Sequence, residues 1–267
     1  MKVLTAPLWE LAEFEEGKAL LDRGKGHVAF SGLYDSQKLH MVYGLSNGFT
    51  QKIIVTFSDK RAREIGAEYG FYDRRTMVYP GKDLIFYQAD IHGNLLTRQR
   101  IQVLRALLER EEVTIVTSID SCLDCLVPLA VWKEKVIKIR NDSEIDLDRM
   151  KRHLLELGYE WAAQVEVPGK FSIRGGIMDV FSLTEDNPWR IELWGDEVDS
   201  IRSFDAESQR SIENLEEISI YPACELVLTA EERQEGIKRI LKEADKVSAK
   251  LRKEMKTEEA HRTKSAA

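Results

Sequence analysis

The chain has 267 residues, 43% of them hydrophobic and 32% charged, enough to build two domains with real cores. No run of about 18 apolar residues occurs, so no membrane span is expected, and Met1 to Glu16 lacks the basic start and apolar centre of a secretion signal, which makes a cytoplasmic location the default. The net charge of −7 argues against a protein whose main task is gripping DNA phosphates, although a local basic patch stays open.

Residues 1–132 alternate strand and helix patterns. His27 to Phe30 reads as a short buried strand ending at Ser31-Gly32. Ser36 to Leu45 reads as a helix with Leu39, Val42 and Tyr43 on one face. Ile53 to Phe57 is a β-branched run of strand length, and Ser58 and Asp59 suit the cap of a helix striped by Ala62, Ile65 and Tyr69. Met77 to Tyr79 is a short strand stopped by Pro80-Gly81. Leu96 to Leu108 is a helix with Ile101, Leu104 and Leu108 aligned, and Val113 to Val116 is a buried strand. Strands separated by helices imply crossovers and a parallel sheet.

Cys122 and Cys125 form a C-x-x-C pair; Cys224 is the third cysteine. A redox pair or half a zinc site is one reading, but the histidines show no matching ligand spacing. With Leu123, Leu126 and Val127 around them, the favoured reading is small apolar fillers of a helix.

The pattern changes around Glu134. Val136 to Ile139 is a strand, and Asp146 to Leu157 an amphipathic helix ended by Gly158. From Gln164 to Phe204 short strands alternate with turns at Pro168-Gly169, Gly175-Gly176 and Gly195-Asp196. Residues 133–222 therefore read as an inserted α+β domain. Residues 223–267 read as a helical return segment. Thr229 and Glu232 fit a capping box, and Ile237, Ile240, Leu241, Ala244, Val247 and Leu251 make one apolar stripe that needs a partner. Beyond Lys253 a polar, frayed tail is expected.

Gly32-Leu-Tyr-Asp-Ser-Gln-Lys38-Leu39 sits between a strand and a helix, where a nucleotide-binding chain places G-x-x-x-x-G-K-[S/T]. Gln37 stands where the second Gly should let the backbone wrap a phosphate, and Leu39 where a hydroxyl should ligate magnesium; Gly32 and Lys38 remain. No apolar strand followed by paired acids supplies a second metal carboxylate. The loop reads as a degenerate nucleotide site, or as a chance match.

Gly169-Lys-Phe-Ser-Ile-Arg-Gly-Gly-Ile-Met-Asp-Val-Phe181, then Pro188-Trp-Arg-Ile-Glu-Leu-Trp-Gly-Asp-Glu-Val-Asp-Ser-Ile-Arg202, then Phe204-Asp205 and Ser208-Gln-Arg-Ser211, closely resemble the UvrB-homology module shared by the excision-repair protein UvrB and the transcription-repair coupling factor family, Mfd. A weaker match runs from about Gly24 to Leu226. The damaged phosphate loop resembles the Mfd branch, as does Ser208 to Ser211. So does the short Gly81 to Asn94 stretch, where UvrB-like chains carry a long DNA-clamping hairpin. The resemblance implies an α/β fold: a degenerate RecA-like (P-loop-type) parallel-sheet domain, interrupted by a smaller α+β domain that binds UvrA, then a C-terminal helix. In the family, RNA polymerase and DNA are bound through regions outside this sequence, which looks like a fragment or a truncated product.

Strand alternation puts Ile191 and Leu193 on one face and Arg190, Glu192 and Trp194 on the other. Arg174, from the preceding hairpin, can join Arg190 and Trp194 on one solvent-facing patch. By residue type alone an ion-paired strand face is the plainer reading. The resemblance implies instead that Arg174 and Arg190, with an aromatic near Trp194, face UvrA. Trp stands where the family pattern has Phe. Asp196, Glu197, Asp199 and Asp205 read as turn formers and strand-end charges, not as catalytic carboxylates. The leading expectation is a docking module for UvrA with no catalytic residue, cofactor or metal. The alternative is a fragment of an ATP-dependent DNA helicase or translocase of the UvrB type; a general DNA-binding scaffold comes third.

Overall fold

The computed structural model describes residues 2–24, 27–82, 95–124 and 126–265. The chain enters through α1 (Lys2–Thr5), a 3-10 turn (Ala6–Glu10) and α2 (Ala12–Asp22). Leu8 and Phe14 are buried here with Met41 and Leu45. The stretch from His27 to Phe30, expected to be a strand, forms no ladder. It lies on α2 instead. Gly17 makes room for it: a Cβ at Gly17 would fall 2.6 Å from the Phe30 ring. Alternating apolar residues cannot by themselves distinguish packing on a helix from pairing in a sheet.

Three β-branched runs pair in parallel: β1 (Gln51–Thr56), β2 (Thr76–Tyr79) and β3 (Val113–Ser118), in the order β1-β3-β2. Parallel pairing needs crossovers, and helices supply them. α3 (Asp35–Ser46) and α4 (Asp59–Tyr69) place Leu39, Tyr43, Ala62, Ile65 and Tyr69 against Val116. α4 starts at Ser58, whose Oγ accepts the Arg61 N–H at 3.3 Å. On the opposite face α5 (Leu95–Leu108) sets Val103 and Ala106 against Tyr79, Val113 and Ile115. β3 is thus buried throughout. β1, at the edge, keeps Ile53 and Val55 exposed.

β3 runs into the one-turn α6 (Ile119–Cys122), capped by Ser118, and then α7 (Leu129–Glu134). Cys122 is exposed and Leu123 is 74% exposed, so the expected burial of the cysteine pair fails at Cys122. The helix ends there and turns these side chains outward. Cys125 lies outside the described residues.

β4 (Ile137–Arg140) precedes α8 (Leu147–Glu156). Asp146 caps α8 by accepting the Arg149 N–H at 2.9 Å, and Gly158 ends it at φ +88°, where a Cβ would meet Cys224 Sγ at 2.9 Å. Then follow β5 (Glu160–Trp161), β6 (Lys170–Arg174), β7 (Ile177–Val180), β8 (Trp189–Trp194), β9 (Glu197–Phe204), β10 (Ser211–Leu215) and β11 (Glu217–Ile220). β5 to β10 form one sheet in simple succession, antiparallel except for the β5–β6 pair. β11 returns to pair antiparallel with β4. The core of this part unites Leu154, Phe171, Met178, Ile191, Ile201 and Ile218, and it reaches Ile101 and Leu104 of α5. The architecture is mixed α/β, with a parallel and a largely antiparallel sheet.

A buried ionic node ties the segment after β11 to the parallel-sheet part. Arg100 on α5 is 2% exposed. Its guanidinium bonds both oxygens of Glu225, lies 3.1 Å from Asp124, donates to the Pro80 carbonyl and stacks 4.1 Å from the Tyr79 ring. Nearby, Trp132 Nε1 donates to the Cys224 carbonyl at 3.3 Å.

α9 (Ala230–Lys253) begins at the expected capping box: Glu232 N–H to Thr229 Oγ1 at 3.2 Å, and Thr229 N–H to Glu232 Oε2 at 2.9 Å. Ile237, Ile240, Leu241 and Val247 are exposed along it, while Ala244 is buried. The expected frayed tail is instead α10 (Thr257–Ser265), folded back at Met255 (φ +61°) and tied by Lys264 to Asp245 at 2.8 Å. α10 stays largely exposed, and its i,i+4 pair between Glu258 and Arg262 supports the helix locally.

Candidate docking surface and phosphate-loop remnant

Gly32 takes φ +78° and leads into α3. Tyr34 is the residue before that helix, and its N–H donates to the Gln37 side-chain oxygen at 3.1 Å. Gln37 thus reaches back to the helix entrance with the reciprocal half of a capping interaction. Lys38 Nζ lies 3.6 Å from Asp35 in the same first turn, and Asp35 lies 4.0 Å from Arg61. Leu39 is 5% exposed and packs into the core below the sheet. A bare helix N-terminus attracts anions. This one already holds a carboxylate, and its lysine is shared with that carboxylate.

Two tight hairpins end at the same edge of the large sheet. Gly175 (φ +60°) turns β6 into β7, and Gly195 (φ +65°) turns β8 into β9. Gly176 is required for their approach. The Leu193 N–H donates to its carbonyl at 2.7 Å, and a Cβ would fall 2.8 Å from the Leu193 carbonyl oxygen. Arg174 and Arg190 converge on Asp179 toward this end, and Trp194 closes β8 at the second hairpin. Trp194 is 86% exposed at the tip, and the Arg174 side chain is 52% exposed.

Arg190 is different. Sequence alternation expects it on a solvent-facing patch, but its side chain is only 17% exposed. Its ladder neighbour across β7 is Asp179, which is 1% exposed. Arg190 Nε and Nη2 grip the two Asp179 oxygens at 2.7 and 2.8 Å, and Nη2 also reaches Gln209 at 3.2 Å. The guanidinium stacks 4.4 Å from the Phe204 ring. The Asp179 bond, opposed by burial, holds the Arg190 pKa above its ordinary value. Arg174 Nη2 donates to Asp179 Oδ2 at 2.9 Å. Glu192 is bonded by Arg202 and by Ser200 Oγ, the latter at 3.2 Å.

Sequence reasoning missed Asp179, Gln209 and Arg202. The first had a signal: the Gly175-Gly176 turn fixes the β6–β7 register, which sets Asp179 opposite Ser172 on the same strand face as Arg174. Of the conspicuous acids, Asp205 serves local structure through its side chain and Asp196 through its backbone. Asp205 Oδ1 accepts from the Ser208 hydroxyl at 2.5 Å and its N–H at 2.7 Å, which lowers the Asp205 pKa. The Asp196 carbonyl accepts from the Ile145 N–H at 2.7 Å. Among the described residues no three metal-capable side chains cluster, and no helix is long and apolar enough to cross a membrane. Residues 83–94, most of the segment compared with the clamping hairpin, lie outside the described residues.

Residues 137–226 match the family model of the UvrB interaction domain. The chain is 35% identical over 223 residues to the transcription-repair-coupling factor of Bacillus subtilis (strain 168), covering 82% of this chain and 19% of that relative. It is 30% identical over 236 residues to the factor of Staphylococcus aureus (strain Mu50), covering 86% of this chain and 20% of that one. The chain belongs to the transcription-repair-coupling factor family. It carries that family's UvrB-homology module, and it spans about a fifth of the length of the curated relatives it matches. The matched interval contains all three residues of the candidate docking surface.

Proposed function

We propose that this module recruits the repair protein UvrA through the hairpin edge of its large sheet and performs no nucleotide chemistry of its own. The carrying observation is an 86% exposed tryptophan, Trp194, at the β8–β9 turn of the same sheet that holds an exposed arginine, Arg174, fixed from below by Asp179. Tryptophan and arginine are the residue types that dominate binding hot spots, because each offers a large contact at modest entropic cost. Placement on strands, not on a long loop, adds precision. The complementary surface on UvrA is then acidic.

The parallel-sheet part is read as a RecA-like scaffold whose phosphate loop has been filled. Gln37 closes the helix entrance, Asp35 engages Lys38, and Leu39 belongs to the core. Contacts with RNA polymerase and DNA fall, on this reading, to other parts of such factors.

Calorimetric titration with purified UvrA tests the proposal. Trp194→Ala and Arg174→Ala should each weaken binding by roughly thirtyfold, the loss expected at a hot spot of about 2 kcal/mol. Glu197→Ala, in the adjoining turn, should change little. Wild-type affinity in both of the first two variants would place the partner elsewhere.

A further inference from the structure

Asp179 contacts no solvent to speak of, being 1% exposed, yet its two oxygens receive three N–H groups from strands on either side. Those donors belong to the two arginines of the docking surface, and the geometry makes the arginines unequal. Arg190 is directed inward, to Asp179, to Gln209 and onto the Phe204 ring. Arg174 is tied to Asp179 through Nη2 and remains half exposed. A free arginine loses rotamer freedom when it docks; one already anchored loses less.

We propose that Asp179 is a positioning residue: held in place by Arg190, it fixes the Arg174 guanidinium at the angle that an acidic group of the partner meets. Arg190 then acts through Asp179 and not by contact. The inference rests on the docking reading above.

The sign of one substitution separates position from charge. Asp179→Asn makes the surface one charge more positive. If the surface worked by charge alone, affinity for an acidic partner would rise. Positioning requires it to fall.

Calorimetric titration with UvrA, with melting curves beside it, compares wild type, Asp179→Asn, Arg174→Ala and the double variant. Asp179→Asn should weaken binding about tenfold or more, and in the Arg174→Ala background it should add no further loss. A merely structural role would keep its full effect in that background. Unchanged or tighter binding in Asp179→Asn, or an undiminished loss in the double variant, overturns the proposal. Should Asp179→Asn fail to fold, Arg174→Lys serves, since it is exposed and keeps the charge but loses the planar fork. It should also weaken binding about tenfold; wild-type affinity there overturns the proposal. Absence of binding by the wild type overturns the docking reading itself, and this inference with it. Binding that is lost in Trp194→Ala but intact in Asp179→Asn overturns this inference alone.

Discussion

A buried carboxylate between two arginines responds unequally to losing one or the other. Arg174 is half exposed, so water can replace it. Arg190 covers both Asp179 oxygens from inside. Arg190→Ala leaves the buried Asp179 charge with only the half-exposed Arg174, and removing a buried ion-pair partner typically costs about 3 kcal/mol or more; urea denaturation should show that loss. Trp194→Ala should leave stability within about 0.5 kcal/mol of wild type, as exposed substitutions usually do. Equal midpoints for the two variants would contradict the burial difference. The sequence reading places both residues on one face and treats both as solvated. Alternation assigns a face, but exposure depends on what lies over it. Here Val165 and Gln209, distant in sequence from β8, close over Arg190: Gln209 Nε2 donates to the Val165 carbonyl at 3.4 Å, and Val165 is packed with Phe181 and Phe204. Trp194 escapes because it stands beyond that cover, at the turn.

At the scale of elements, on the proposed reading of a degenerate phosphate loop, the residues at the start of α3 have been reassigned, not merely lost. Installing the missing phosphate-loop residues by Gln37→Gly and Leu39→Thr should not yield saturable micromolar binding of a fluorescent ATP analogue with magnesium. It should instead destabilise the chain by about 3 kcal/mol, from the lost cap and from a polar group set into the Leu39 core site. Saturable binding, abolished by Lys38→Ala, would restore the nucleotide-site reading. Helices and strands with clear periodicity were legible: α3, α4, α5 and α8 fall close to their sequence limits, and the glycine turns mark the hairpins. Elements whose placement depends on a non-local neighbour were not. The stretch from His27 to Phe30 packs on α2, and α10 folds back along α9.

For the molecule as a whole, the Arg100 node links burial to acidity. Burial alone would raise the Glu225 carboxyl, but bonds from Arg100 and Lys82 outweigh it and hold the pKa below its ordinary 4.5. A carboxylate with a depressed folded pKa contributes stability that is complete above its unfolded value and lost as pH falls through the folded one. Glu225→Gln should therefore cost about 2 kcal/mol near neutrality, and its melting temperature should converge on that of wild type as pH drops below 4.5. A constant gap between the two across that range would mean that Glu225 stabilises by shape and not by charge.

The contact of Trp132 with Cys224 has a further consequence. On the reading of residues 133–222 as an inserted domain, that contact brings its two ends to one spot, the arrangement that lets a domain be spliced into a host without tearing it. Transplanting that stretch into another scaffold asks only for two neighbouring attachment points. Ile101 and Leu104 of α5 share the insert's core, so a host stripped of the insert would be left with a bare greasy patch prone to self-association.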